Sequence, residues 1–175
     1  MKILIAAGLF AALAAPASAE ESAAGSTPPP ASAPASAPAY GTGAREVGVG
    51  VILGEPIGGT VKLWLDDRLA ADAGAGLSDG NAGFWADALW HDWTLLPQPS
   101  SGRLGAYLGA GPQLRTGGDV RFGIRAIMGL SYRPTGHPLE LFAEAGPLFR
   151  MTQGGQIDAV GGVGLRLMVG SSRKN

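Results

Sequence analysis

Cysteine is absent from the 175 residues, which removes disulfides, thiolate metal sites, cysteine nucleophiles and lipid attachment through cysteine together. Histidine is scarce: His91 and His137 are the two in the chain, too few for a His-rich metal site, and no metal, cofactor or catalytic residue is expected. Neither sign of charge dominates, with 13 Lys+Arg against 14 Asp+Glu and a net charge of −1. Nucleic-acid binders carry a basic patch or stripe, so no nucleic-acid partner is expected. Long apolar runs are missing too, and no stretch offers the ~20 residues that a membrane-spanning helix needs. The length is compatible with one domain. Glycine and proline are plentiful, with 29 and 13 residues.

The start of the chain reads as an address. Met1-Lys2 supplies a positive start, Ile3 to Ala15 is apolar, and Pro16 breaks the run. Ala17-Ser18-Ala19 then places small residues ahead of Glu20, the order of zones in a secretory signal peptide. Removal of residues 1–19 leaves 175 − 19 = 156 residues. Residues 20–44 are built from Ala, Pro, Ser and Gly, with Pro28-Pro29-Pro30 among them. Such a composition cannot bury a core and reads as a disordered, semi-rigid tether. A β-barrel domain is expected over 45–170, followed by a polar tail over 171–175.

From Glu46 onward the dominant period is two, the alternation of a two-faced strand. Runs on one parity include Val47, Val49, Val51 and Leu53; Val61, Leu63 and Leu65; Leu69 to Leu77; and Phe84 to Trp90. Four further runs follow at Leu104–Leu114, Val120–Tyr132, Leu139–Met151 and Ile157–Val169. Short segments rich in Gly, Asn, Asp and Pro separate them, the residues that tight hairpins require. Eight strands joined by hairpins form an antiparallel meander, and closing it removes the free edges. The first two strands are expected to be short. Leu65 to Leu77 also has the look of an Ala-rich helix, which Gly74 and Gly76 oppose.

The sign of the alternation is reversed for a water-soluble barrel. One face is apolar, with Phe84, Trp90, Tyr132 and Phe149 as a thin aromatic set. The other face carries Lys62, Arg121, Arg125, Arg150 and Arg166 against Asp72, Asp87, Glu140, Glu144 and Asp158, together with most strand glycines and Trp64, Trp85 and Trp93. Lipid offers no hydrogen bonds, so its side must be apolar while closure satisfies the backbone. Apolar outside and polar inside, in segments of ~10 residues, marks a transmembrane β-barrel. An eight-stranded bore has room only for side chains, so its charges must pair within it.

The segments Leu53-Gly54-Glu55-Pro56 with Lys62-Leu63-Trp64, Ala86 to Trp93, Gly123-Ile124-Arg125 with Gly129 to Tyr132, Pro138 to Phe142, and Gly162 to Arg166 carry a resemblance. Over 47–169 the chain resembles small eight-stranded bacterial outer-membrane barrels in the OmpA/OmpX style. More narrowly, it is similar to a barrel family known as a domain of unknown function. The resemblance implies an outer-membrane location with the tether in the periplasm. Its implied partners are membrane lipid and, during insertion, the barrel-assembly machinery. No catalytic residues carry over. One departure stands out: such barrels usually end on an aromatic residue, whereas this chain runs Leu167-Met168-Val169.

Several motifs have plainer readings. Gly76-Leu77-Ser78-Asp79-Gly80 has the G-x-S-x-G spacing but sits between two strands, without the strand-to-helix turn of a nucleophile elbow. Gly48, Gly50 and Gly54 miss the dinucleotide spacing, and no helix follows. His91 and Asp87 share a face, and the plain reading is a lumen histidine bonded to a carboxylate. Arg121, Arg125, Glu140 and Glu144 recur at four-residue spacing on two adjacent strands, where pairing across the turn is expected to build a salt-bridge plug. The leading expectation is a structural or interaction protein of the outer membrane. The alternatives are a lipid-modifying enzyme, for which Ser78, His91 and His137 are the candidate groups, and a soluble periplasmic barrel holding an apolar ligand.

Overall fold

The computed structural model describes residues 46–170 except 79, 118, 119, 153 and 154. The expected signal peptide, tether and C-terminal tail lie outside the described residues. Eight strands follow one another: β1 (Val47–Glu55), β2 (Ile57–Trp64), β3 (Leu69–Ser78), β4 (Asn81–Asp92), β5 (Gly102–Thr116), β6 (Arg121–Pro134), β7 (Leu139–Arg150) and β8 (Ile157–Val169). Each pairs antiparallel with its sequence neighbour, and β1 pairs with β8, so the sheet closes into a barrel. The segment from Leu65 to Leu77 contributes strand, not helix. β1 and β2 reach 9 and 8 residues, longer than the alternation alone suggests. The expected turn at Gly54-Glu55-Pro56 contracts to Pro56, and the ladder absorbs its neighbours.

Turn chemistry sets the connections. Ser78 pairs with Asn81, which leaves a two-residue hairpin over 79–80, and Gly80 takes φ +75° there. An L side chain is strained at that angle and glycine is not. The two ends of the barrel differ. At the end where β1 starts and β8 finishes, the terminus end, the connections are 65–68, 93–101 and 135–138. At the far end they are Pro56, 79–80, 117–120 and 151–156. The longest connection therefore shares its side with the chain ends.

The stagger of the barrel can be followed through lumen-facing partners. Arg150 pairs with Gly123, then Gln113, Trp85, Gly74, Thr60, Gly50, Arg166 and finally Glu140. One circuit thus returns to β7 displaced by 150 − 140 = 10 residues. At ~3.3 Å per residue and ~4.8 Å between strands, this tilts the strands roughly 40° from the barrel axis, within the range for such barrels.

Polarity follows the alternation. Val49, Val51, Leu53, Val61, Leu77, Phe84, Trp90, Leu108, Met128, Leu141, Phe149, Val163, Leu165 and Leu167 are exposed on the outer wall. Lys62, Asp72, Asp87, Arg125, Glu140, Glu144 and Arg166 are buried in the bore. Glycines give the bulky lumen side chains their seats. A Cβ on Gly74 would collide with Trp85, on Gly105 with Trp93, on Gly129 with Tyr107, and on Gly164 with Phe142. In three of these pairs the glycine is the direct cross-strand partner of the aromatic residue. These four lumen glycines are therefore the complement of four large rings, while others such as Gly50, Gly58 and Gly111 lie against the backbone of the next strand.

Candidate functional site

The bore is the only region where charged side chains gather away from water among the described residues, and it is built in three levels. In the middle, two ion clusters stand side by side. In the first, Lys62 Nζ donates to Glu140 Oε1 at 2.6 Å, and Arg166 reaches Asp72 Oδ1 at 2.8 Å and Glu140 Oε1 at 3.4 Å. Thr60 donates to Asp72 Oδ1 at 2.7 Å and Ser131 donates to Glu140 Oε1 at 3.1 Å. In the second, Arg125 bridges Asp87 Oδ2 at 2.9 Å and Glu144 Oε1 at 2.8 Å. Tyr107 donates its hydroxyl to the other Glu144 oxygen at 2.8 Å. Trp85 donates its indole N–H to Asp72 at 3.3 Å. Multiple donors per carboxylate are what buried ions need, since an unpaired one costs several kcal/mol.

At the terminus end the bore is closed by rings. Trp64 and Trp93 stack at 5.8 Å, with His91 at 4.5 Å from Trp64 and 4.9 Å from Tyr107. Cations cover this stack: Lys62 lies 4.4 Å from the Trp64 ring and Arg103 4.2 Å from the Trp93 ring. Arg133 reaches 5.9 Å from Trp64 and pairs with Glu46 at 2.5 Å. Arg133 thus links Glu46, which directly precedes β1, to the ring stack.

The far mouth is different again. Arg115 meets Glu55 at 3.0 Å, Ser78 donates to the same Glu55 oxygen, and Arg150 pairs with Asp158. Arg121 enters the same mouth from β6. Polar heads here keep some contact with solvent, whereas Lys62 and Arg125 are completely enclosed.

Of the ten lumen charges expected from the sequence, nine enter ion pairs and one does not. Arg121 makes no ion pair with the described residues, which corrects the expected plug of Arg121, Arg125, Glu140 and Glu144. Glu140 joins Lys62 and Arg166, and Arg125 joins Glu144 and Asp87. The cause is register. The cross-strand partner of Arg125 is Leu148, while that of Glu144 is Gly129. Arg125 meets Glu144 by leaning along the bore, and Arg121 lies beyond that reach. The expected bond from His91 to a carboxylate is likewise corrected. Its Nε2 accepts from Lys62 at 2.9 Å, and its Nδ1 faces the Arg68 carbonyl at 3.3 Å. This assigns the proton to Nδ1.

Thr60, Tyr107 and Ser131 are network members that charge counting passes over, although their parity already put them on the polar face. Glu55 gave no signal, because it falls in an expected turn and on the outward parity. Ser78 lies at the far end, whereas His91 and His137 lie at the terminus end. The three candidate catalytic groups are therefore not brought together. Among the described residues no group of His, Cys, Asp and Glu is arranged to hold a metal ion.

A closed, eight-stranded antiparallel barrel with an apolar exterior and an ion-filled bore is the fold of a small outer-membrane-type barrel. In particular, the chain is similar to the N-terminal β-barrel domain of Pseudomonas aeruginosa OprF in its crystal structure. The TM-score is 0.50 at 17% identity, covering 74% of this chain and 100% of that one. At that identity the likeness concerns the fold. No protein-family model matches the chain, and no curated protein does either.

Proposed function

We propose that this chain is an integral outer-membrane β-barrel whose lumen is plugged by charge, serving as a structural or interaction protein and not as an enzyme. One observation carries the reading. The outer wall exposes Val, Leu, Phe and Met on successive strands while Lys62, Arg125, Glu140 and Arg166 are fully enclosed. In water that wall would be a very large apolar patch; in lipid it is the required surface. The OprF-like fold supports an outer-membrane location; in this reading the terminus end and the tether face the periplasm. In Leu53–Pro56, Ala86–Trp93 and Pro138–Phe142 the chain is also similar to the barrel family known as a domain of unknown function.

The uneven loops favour work on the periplasmic side. Far-end connections of one to six residues offer little surface for adhesion, while the longer 93–101 loop stands at the terminus end. The plug argues against an open channel, and separation of Ser78 from both histidines argues against hydrolysis of lipid. The test is membrane fractionation with a carbonate wash, read beside boiled and unboiled gel lanes. An integral barrel stays with the membrane and shifts mobility on boiling. Release by carbonate with a mobility that ignores boiling would favour the soluble barrel and end this reading.

A further inference from the structure

We propose that the far mouth is a binding site for a phosphate oxyanion, built by Arg121 with Arg115 and Arg150. These three arginines come from three neighbouring strands at one level. Arg115 and Arg121 are direct cross-strand partners, and Arg150 is the partner of Gly123, one lumen position inside Arg121. Like charges directly opposite each other on a sheet repel; Glu55 balances Arg115, so the charge still to be balanced is that of Arg121.

The described carboxylates at this level do not supply it for Arg121. Glu55 is engaged by Arg115 and Ser78, and Asp158 by Arg150. The Arg121 Nε is buried and has no hydrogen-bond partner among the described residues. Gln113 stands one lumen position deeper than Arg115, opposite Gly123, which has no side chain. It is 1% exposed, and neither of its amide atoms has a described partner. The mouth thus has a guanidinium and a carboxamide with unpartnered donors, beside two arginines that are paired with Glu55 and Asp158. A guanidinium fork suits two oxygens of one phosphate, and such charge-assisted bonds are the strong ones.

The height of the site names the sources. Short far-end connections keep the arginines close to the level of Phe84, Phe122 and Phe149 on the outer wall. Aromatic residues in such barrels mark the interface where lipid headgroups lie. A lipid phosphate at the rim and a free phosphate from the medium offer the same chemistry. The choice between them rests on the membrane reading; the oxyanion site itself does not.

The experiment uses the full mature chain in uncharged maltoside micelles, with the boiled-versus-unboiled shift showing that each variant is folded. Inorganic phosphate is titrated by calorimetry. In a second arm, thermal unfolding is compared in vesicles of phosphatidylglycerol and of a phosphate-free glycolipid. Wild type should bind phosphate or be stabilised by phosphatidylglycerol, and Arg121→Ala should lose about tenfold or more in affinity, or the whole of that stabilisation. Arg121→Lys should recover part of it. Response in the vesicle arm alone identifies a lipid headgroup; response in both admits the free ion. Equal behaviour of wild type and Arg121→Ala in both arms would overturn the site, while an intact gel shift in the same samples leaves the barrel reading standing.

Discussion

The two ends of one bore solve the same problem in opposite ways. At the terminus end, Trp64, His91, Trp93 and Tyr107 fill the cross-section, and cations lie over their faces. At the far end guanidiniums and carboxylates meet with part of their surface wet. Stacked rings give large buried area together with cation–π attraction, which strengthens when water is excluded. Ion pairs in contact with water are worth little, because solvent screens them and ordering two long side chains costs entropy. The terminus end is thus a structural seal. The far end is free to bind.

The comparison can be broken first at the level that separates the two ends. Arg125→Ala strands Asp87 and Glu144 in the bore and should cost ~3–5 kcal/mol of unfolding free energy. Urea unfolding in detergent micelles, followed by tryptophan fluorescence, would measure it; a loss under ~1 kcal/mol would mean that the bore is wetter than its burial implies. Next, Trp93→Leu at the seal removes the stack on Trp64 and the cover over which Arg103 lies, for a loss of about 1–3 kcal/mol in the same assay. Arg150→Ala at the far mouth should cost no more than ~1 kcal/mol, since Asp158 can turn to water. A far-mouth loss equal to the Trp93 loss would erase the distinction between the ends.

The smallest effect concerns the turn below the seal. Asp66 sits between β2 and β3 and accepts hydrogen bonds from the backbone N–H groups of Arg68 and Leu69 at 2.8 and 2.7 Å. These bonds hold its carboxyl below the ordinary value. A depressed folded-state value means that the stabilisation is present above the unfolded pKa and fades as pH falls through the folded one. Wild type and Asp66→Ala should therefore differ above about pH 4 and converge in more acid solution, as tracked by unfolding midpoints across that window. A constant difference at all pH values would detach the turn from its carboxylate.

Much of the architecture was legible before any coordinates. Alternation assigned Trp64, Trp85 and Trp93 to the bore, and hairpin residues spaced the strands, because both properties are local to a few residues. Thr60 and Tyr107 could have been added to the lumen network by the same parity. Glu55 could not, since it sits beside Pro56, where the alternation lapses. His91 with Asp87 misled, because sharing a face along one strand does not mean touching when a lysine from another strand is nearer.

What the amino-acid order determined by itself is which residues share a face and where the chain reverses, both consequences of a two-residue period and of turn preference. Which charges meet across the bore was decided only by closure, whereas Glu140 and Arg166 already face each other across one strand pair. A displacement of ten residues per circuit accumulates over every strand pair and belongs to none of them. It brings Lys62 to Glu140 and Arg166 to Asp72 from opposite parts of the sequence, and it leaves Arg121 at the mouth.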